Sequence, residues 1–375
     1  VSGVPERKAK FYLAGEVCDY ASCVLDGDDL YIWYEKSCMK DSFLSNCFRK
    51  INLNNFSGVE DVIYKNHNLS GYASTLIDCS SHICVSIGGA VFRKEDMSLT
   101  YLETEDYLSI NGWSKGAQSF FYEGFYYRSV NSLGDTHKGY DVVDVESWEV
   151  IRHLDLEMDY LKVFKAGLCC GILSSNNFAI SSLPDAKLIF ELDILALTDM
   201  EADRHNIQFD YSDTLAAVVC GDTLAIIDSE NRYLLRTTKI SELNPLHIAT
   251  TDNDKDMLNF FARGVRLHEH LAIVNSTTCI ITIDTISGIC CWARLYPENV
   301  SISIACIYGD LIFCSKNDTP HAWDKYTGET VWRAANGLPC RSVQVSKGWV
   351  VYHQICGHIH CFQWKVPYIS PHRPA

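Results

Sequence analysis

Two stretches of the chain carry the same residues in the same register. Asp284, Ser287, Gly288 and Trp292 in TIDTISGICCW stand where Asp324, Thr327, Gly328 and Trp332 stand in AWDKYTGETVW, and every offset is 40 residues. Each copy reads as an apolar strand ending on Asp, a tight turn, and a second strand reaching a Trp. A period of roughly 40 to 50 residues built from β-type segments is the signature of propeller blades, because one such unit cannot bury its own faces and must stack on its neighbours.

Weaker copies lie upstream, each an apolar strand, a break and another apolar strand. They run over Gly27–Cys38, His82–Glu103, Glu123–Leu154, Ala166–Leu192 and Asp213–Thr237, ahead of Glu269–Trp292 and Gly309–Trp332. An eighth hairpin, Gly348–Trp364, has no fourth strand behind it. The segment Ala9–Gly15 (AKFYLAG) is a strand without a hairpin and is the natural donor. Closing a ring this way hides edges that would otherwise invite association. The expectation is therefore an all-β fold: one β-propeller domain over residues 1–375, with four-stranded antiparallel blades and 9–15 as the closing strand. Eight blades give about 47 residues each, and the alternative of seven gives about 54. Two stretches exceed the blade plan: 192–206, acidic with room for a short helical turn, and 238–267, where DKDMLNFFARG has helical spacing. Long inserts on a rigid scaffold are where binding residues concentrate.

The repeated residues suit a structural role. Asp284 and Asp324 can accept hydrogen bonds from turn N–H groups. Gly288 and Gly328 can take the positive φ of a tight turn. Trp292 and Trp332 are large enough to cover the gap between blades and still place an indole N–H. These six residues are expected to dock blades together, and no catalytic residue is assigned.

The pattern resembles the tryptophan-docking repeat of the quinoprotein (pyrroloquinoline-quinone) propellers, roughly A-x-D-x-x-T-G-x-x-x-W, and WD40-like propellers more broadly. Ala322, Asp324, Thr327, Gly328 and Trp332 match all of it. The other strong copy has Thr282 for the alanine and Ser287 for the threonine. The match covers two blades. The resemblance implies a propeller and leaves chemistry open, since many propellers with this repeat bind no quinone and act as scaffolds. In the dehydrogenases a vicinal disulfide lies over the cofactor. Cys169-Cys170 and Cys290-Cys291 are adjacent pairs, but both sit mid-strand, and the Glu, Asn and Asp metal ligands of those enzymes are not assigned to residues of this sequence. A quinone- or metal-dependent oxidoreductase is the competing class; the expectation is no enzyme and no cofactor.

Composition narrows the partners. The formal net charge is −15, and no basic stripe offsets it; RKAK at Arg7–Lys10 is short. Nucleic acid backbones repel such a surface. The longest apolar runs, such as Leu215–Val219 and Leu271–Val274, are strand-length and far from the roughly 18 to 20 residues of a membrane span. The 17 cysteines form no CxxC pairs and sit mostly in apolar strand-like runs, as reduced thiols in a core do. No apolar signal-type stretch opens the sequence. A cytoplasmic location is expected, against five N-x-[ST] triplets at Asn55, Asn68, Asn275, Asn299 and Asn317.

Three local motifs invite chemistry. HQICGHIHC offers His353, His358, His360 and Cys361 as metal-ligand types, and a hairpin turning at Cys356-Gly357 would bring His353 toward the face shared by His358 and His360. The spacing matches no standard zinc finger, so a His-rich hairpin is the preferred reading. DNDKD at Asp252–Asp256 lacks the glycine and glutamate of a calcium loop, having Met257 and Arg263 there. HEH at His268–His270 lacks the helical His pair of HExxH. The aromatics of SFFYEGFYYRS read as strand core. The functional expectation is a non-catalytic protein-binding propeller, monomeric by itself, that binds a basic protein through Asp193, Asp199, Glu201, Asp203, Asp252, Asp254 and Asp256. An immunity or inhibitor protein neutralising a cationic toxin is the concrete version. A substrate-recognition or assembly scaffold is the alternative.

Overall fold

The computed structural model describes residues 6–12, 21–37, 44–58, 62–64, 76–78, 81–85, 90–101, 120–131, 138–156, 158–163, 167–173, 177–183, 185–197, 207–212, 214–245, 262–276, 279–296, 302–317, 319–334, 340–354, 358–364 and 367–373. Their strands form eight antiparallel sheets arranged as the blades of a ring. Blade 1 holds β2 (Ala21–Asp26), β3 (Asp29–Ser37) and β4 (Leu44–Asn52), with β5 (Ser57–Gly58) and β6 (Val62–Tyr64) both paired to β4. Blade 2 is β7 (Leu76–Asp78), β8 (His82–Val85), β9 (Ala90–Arg93) and β10 (Leu99–Tyr101); blade 3 is β11 (Phe120–Tyr122), β12 (Phe125–Asn131), β13 (Lys138–Asp144) and β14 (Val150–Leu154). Blade 4 is β15 (Met158–Val163), β16 (Leu168–Leu173), β17 (Phe178–Ser182) and β18 (Leu188–Leu192); blade 5 is β19 (Ile207–Ser212), β20 (Leu215–Cys220), β21 (Thr223–Asp228) and β22 (Tyr233–Lys239). Blade 6 is β23 (Ala262–His268), β24 (Leu271–Ser276), β25 (Cys279–Asp284) and β26 (Cys290–Leu295); blade 7 is β27 (Ile302–Tyr308), β28 (Leu311–Lys316), β29 (Thr319–Asp324) and β30 (Thr330–Arg333). Blade 8 is composite: β31 (Cys340–Ser346), β32 (Trp349–Gln354) and β33 (His358–Gln363) are completed by β1 (Glu6–Tyr12).

The ring therefore has eight blades, and the N-terminal strand closes it. β1 runs antiparallel to β33 from Glu6 opposite Gln363 to Tyr12 opposite His358. It begins three residues earlier than the expected 9–15, whose last three residues lie outside the described ones. First strands of neighbouring blades pack on one another and line the centre, which leaves the fourth strands on the rim.

There is no single core. The buried apolar side chains fall into eight clusters, and each spans one junction between consecutive blades. Because strand side chains alternate, one strand feeds two junctions. In β20, Ala217 and Val219 enter the cluster shared with blade 6, while Ala216, Val218 and Cys220 enter the one shared with blade 4. A sheet buried on both faces must read as a continuous apolar run, as LAAVVC and LAIV do. The same alternation parts the vicinal cysteines. Cys169 faces blade 3 and Cys170 faces blade 5, while Cys290 faces blade 5 and Cys291 faces blade 7. All four are free thiols.

A backbone bond recurs in every blade. The residue after the third strand donates its N–H to a carbonyl in the turn between the first and second strands. The pairs are Leu53 to Asp28, Lys94 to Ser81, Val145 to Gly124, Leu183 to Gly167, Ser229 to Thr214, Thr285 to His270, Lys325 to Asp310 and Trp364 to Gly348, at 2.6–3.4 Å. It ties the two turns of each blade together on one face of the ring, called here the turn face. The turn before the fourth strand is equally regular. Four residues after the end of the third strand, blades 1 to 7 place Phe56, Met97, Trp148, Ala186, Arg232, Gly288 and Gly328 at φ of 51–76°. Side-chain oxygens at the strand end hold the turn: Asp144, Asp228, Asp284 and Asp324 each accept from backbone N–H groups within it. Only two of the seven left-handed positions are glycine, although a left-handed non-glycine residue costs about 1–2 kcal/mol. Replacing the exposed Arg232, at φ 61°, with glycine is expected to stabilise the chain by about 0.5–1 kcal/mol. A urea midpoint that fell in Arg232→Gly would contradict this account of the turn.

The expected inserts shrink. Leu192 ends β18, and the helical turn of the first insert is a 3-10 turn over Leu195–Leu197. Residues 238–239 complete β22, a second 3-10 turn covers Ile240–Glu242, and 262–267 belong to β23. The blade pattern, extended by its own first strand, claims the ends that sequence inspection left over. Residues 198–206 and 246–261 lie outside the described ones. The aromatic stretch is two strands: β11 and β12 turn at Glu123-Gly124, stacking Phe120 on Tyr127 at 4.7 Å and setting Phe121 against Tyr126 at 4.8 Å.

Candidate functional site

The repeat residues meet at the junction of blades 6 and 7. The Trp292 indole is fully buried, and its Nε1 donates to the Lys325 carbonyl of the next blade at 2.8 Å. It lies on Gly328, where an added Cβ would stand 2.5 Å from the indole Cε3. So Gly328 has two reasons to be glycine, a φ of 70° and this close approach. Two residues on, Arg294 donates from Nη1 to the Gly328 carbonyl at 2.6 Å and from Nη2 to Thr330 Oγ1 at 3.0 Å. Its guanidinium sits 4.8 Å from the Trp323 ring centroid.

At the junction of blades 5 and 6 an arginine stands where the tryptophan would be. Arg236, in the same position after Asp228 as Trp292 after Asp284, donates from Nη2 to the Ile286 carbonyl at 2.9 Å and covers Gly288. Trp332 has no such turn to meet, because the fourth strand of blade 8 comes from the other end of the chain. It packs edge-on against Phe362 at 5.2 Å and Trp364 at 6.4 Å.

Exposed carboxylates lie on the turn face of six blades. Asp26, Glu95, Asp96, Glu123, Glu146, Asp185, Glu230 and Glu269, from blades 1 to 6, are exposed there. Lys187, Arg232 and Lys347 are exposed in the same turns, and two further cations pair between blades. Lys94 Nζ reaches Asp26 at 2.7 Å, and Lys325 Nζ, only 2% exposed, reaches Glu269 at 3.0 Å and Asp310 at 3.4 Å. Desolvation alone would pull the Lys325 ammonium down, yet hydrogen bonds to Glu269 and Tyr326 raise it above the ordinary lysine value. Of the expected partner-binding residues, one lies among the described ones. Asp193 is exposed and accepts from the Ala196 amide at 3.2 Å, capping a 3-10 turn. Asp199, Glu201, Asp203, Asp252, Asp254 and Asp256 lie outside the described residues.

The His-rich hairpin splits its candidate ligands. Cross-strand partners share a face, and the register sets His360 opposite Tyr352, His353 opposite Ile359 and Cys361 opposite Val351. His358 and His360 therefore share one face while His353 and Cys361 take the other, against the expectation that His353 would join the pair. His360 stacks on Tyr352 at 4.6 Å, and Cys361 is buried at the junction with blade 1. Among the described residues no three His, Cys, Asp or Glu side chains cluster as metal ligands. Burial pushes the Cys169, Cys290 and Cys306 thiols up to about 12, so they are neutral packing groups at physiological pH. His268 ends β23, and Glu269 and His270 form the first turn of blade 6.

No protein-family model and no curated protein matches the chain. Solved structures do. BamB from Moraxella catarrhalis aligns over 96% of this chain and 100% of its own, at a TM-score of 0.61 and 10% identity. Sqt1 from Saccharomyces cerevisiae aligns over 97% and 100%, at 0.62 and 10%. The fold is that of a WD40-like propeller. The C-terminal WD40 domain of Sif2 aligns over 98% and 100%, at 0.57 and 9%. The likeness is one of architecture, and the quinoprotein form of the repeat stays a resemblance of two blades. Among the described residues no helix is long and apolar enough to cross a membrane.

Proposed function

We propose that this WD40-like propeller is a non-catalytic protein-binding ring whose turn face receives a basic protein, with neutralisation of a cationic toxin as the concrete version. The observation that carries the reading is the set of exposed carboxylates that blades 1 to 6 present on one face of a chain with net charge −15. Complementary fields steer encounter and reject like-charged partners. The free, mostly buried thiols among the described residues fit the reducing, cytoplasmic setting proposed for this ring.

The test begins with a partner captured on immobilised protein and identified by mass spectrometry. Binding is then compared with a Glu95→Lys, Glu146→Lys, Glu230→Lys variant. All three side chains are exposed, so the fold is kept. Association is expected to slow by about tenfold to a hundredfold, and the wild-type rate to fall steeply with salt. Rates insensitive to both changes would reject the turn face as the binding surface. Stoichiometric calcium, zinc or quinone in protein purified from its native host would reject the non-catalytic reading.

A further inference from the structure

Residues 367–373 do not continue a blade. They cross from blade 8 onto the turn face of blade 7 with alternating burial, so that Tyr368 and Ser370 point inward while Ile369 is 70% exposed. Three contacts seat the segment. The Tyr368 hydroxyl donates to Asp324 Oδ2 at 2.7 Å, the Ser370 amide donates to Asp310 Oδ2 at 3.0 Å, and the Arg373 guanidinium lies 4.0 Å from the same oxygen. Up to Ser370 this is how a docked extended peptide is held, a backbone N–H on a fixed acceptor with side chains reading the flanks; the segment then turns, the Arg373 N–H donating to the Ser370 carbonyl at 3.3 Å.

The seat is specific to blade 7. Asp324 spends Oδ1 on its own turn, as the matching aspartates do, and offers Oδ2 to the tyrosine. Asp310 occupies the turn position held by Ser81, Gly124, Gly167, Thr214, His270 and Gly348 in blades 2 to 6 and 8. Blade 1 has Asp28 there, and that carboxylate also receives a donor from another blade, the Trp349 Nε1 at 3.1 Å. The charge is unbalanced. Glu269 and Asp310 share one ammonium, Lys325, and Asp324 adds a third carboxylate under Tyr368, so the seat is net negative until Arg373 arrives.

We propose that this notch on blade 7 is a peptide-binding site, and that residues 367–373 are its resident, displaceable ligand. The peptide it takes is basic, extended from a tyrosine whose hydroxyl meets Asp324 to a backbone amide two residues later, and then turned so that an arginine five residues after the tyrosine reaches Asp310. The inference rests on the turn face being the partner surface, and adds regulation: a basic partner gains the notch only by lifting the segment.

A fluorescein-labelled peptide of sequence KVPYISPHRPA serves as probe. It is titrated against the full chain and against a full-length Tyr368→Ala, Arg373→Ala variant whose own segment is loosened. The variant is expected to bind the probe at least about tenfold more tightly than wild type, and Asp310→Asn added to it to abolish that gain. Equal binding to wild type and to a folded variant overturns the proposal. If the variant does not fold, hydrogen exchange on wild type decides. Millimolar probe is expected to speed exchange at Ser370 at least about fivefold, and unchanged exchange overturns the proposal. The probe touches blade 7 alone, so it can fail while the charge-reversal test on blades 2, 3 and 5 succeeds, and the converse.

Discussion

Trp292→Ala lowers the unfolding free energy by about 3–5 kcal/mol, the range for emptying a fully buried indole site. The loss has two parts. One is the cavity among Ile273, Ile312, Trp323 and their neighbours at the junction of blades 6 and 7. The other is the Lys325 carbonyl, which loses its indole donor. Gly328→Ala tests the same contact from the other side. In the wild-type chain the new methyl collides with the indole, adding about 1–3 kcal/mol of overpacking to the cost of a left-handed alanine. In the Trp292→Ala background the collision is gone and only the backbone cost is left. Urea denaturation of the four proteins gives the coupling directly. If the two losses simply add, the indole does not rest on Gly328 as described.

Removing residues 1–12 is the second large effect. It takes away β1 and six paired positions on β33, on the order of 5 kcal/mol of ladder at about 1 kcal/mol per bond. That is comparable to the whole stability of an ordinary domain. It also leaves blade 8 with three strands and bares the edge of β33, an apolar strand (HIHCFQ) that would pair with another chain. The expected outcome is aggregation on size-exclusion chromatography with light scattering, or a melting temperature lower by ten degrees or more. A monomeric truncated protein with unchanged melting would show that the ring is closed by something other than this strand.

Much of the ring was legible in the chain, and the unread parts have physical causes. The sixth and seventh blades stood out because they alone use glycine at the left-handed turn position. Their neighbours hold the same turn with Phe56, Met97, Trp148, Ala186 and Arg232, so no glycine marks them. The inner strands were passed over as well. IQFDYS in β19 is short and mixed, because a strand at the centre of a ring packs beside its neighbour's inner strand, here β23, instead of filling a junction on both faces. Arg236 was unreadable as a docking residue, since nothing local says that a guanidinium will replace an indole. Its signal was positional, the same distance from Asp228 as Trp292 from Asp284.

The site was legible only as a charge. Acidity pointed to a basic partner, and inspection then looked for it in the two inserts. Most of both inserts lies outside the described residues; among the described ones, exposed carboxylates stand on the short turns of blades 1 to 6, far apart in sequence. Asp310, Asp324, Lys325 and Tyr368 gave no warning of acting together. They meet because the last segment of the chain folds back over the blade before its own.

The sequence by itself determined a repeating β unit, the turn chemistry of its clearest copies, and closure by a strand from the opposite end. These follow from local rules: alternation, positive φ at a turn, and an unmatched strand needing a partner. Tertiary structure alone decided which side chains share a junction, which turns come together on one face, and where residues 367–373 come to rest. Those outcomes depend on the angular step from blade to blade, which sums contacts over the whole ring and is written in no single repeat.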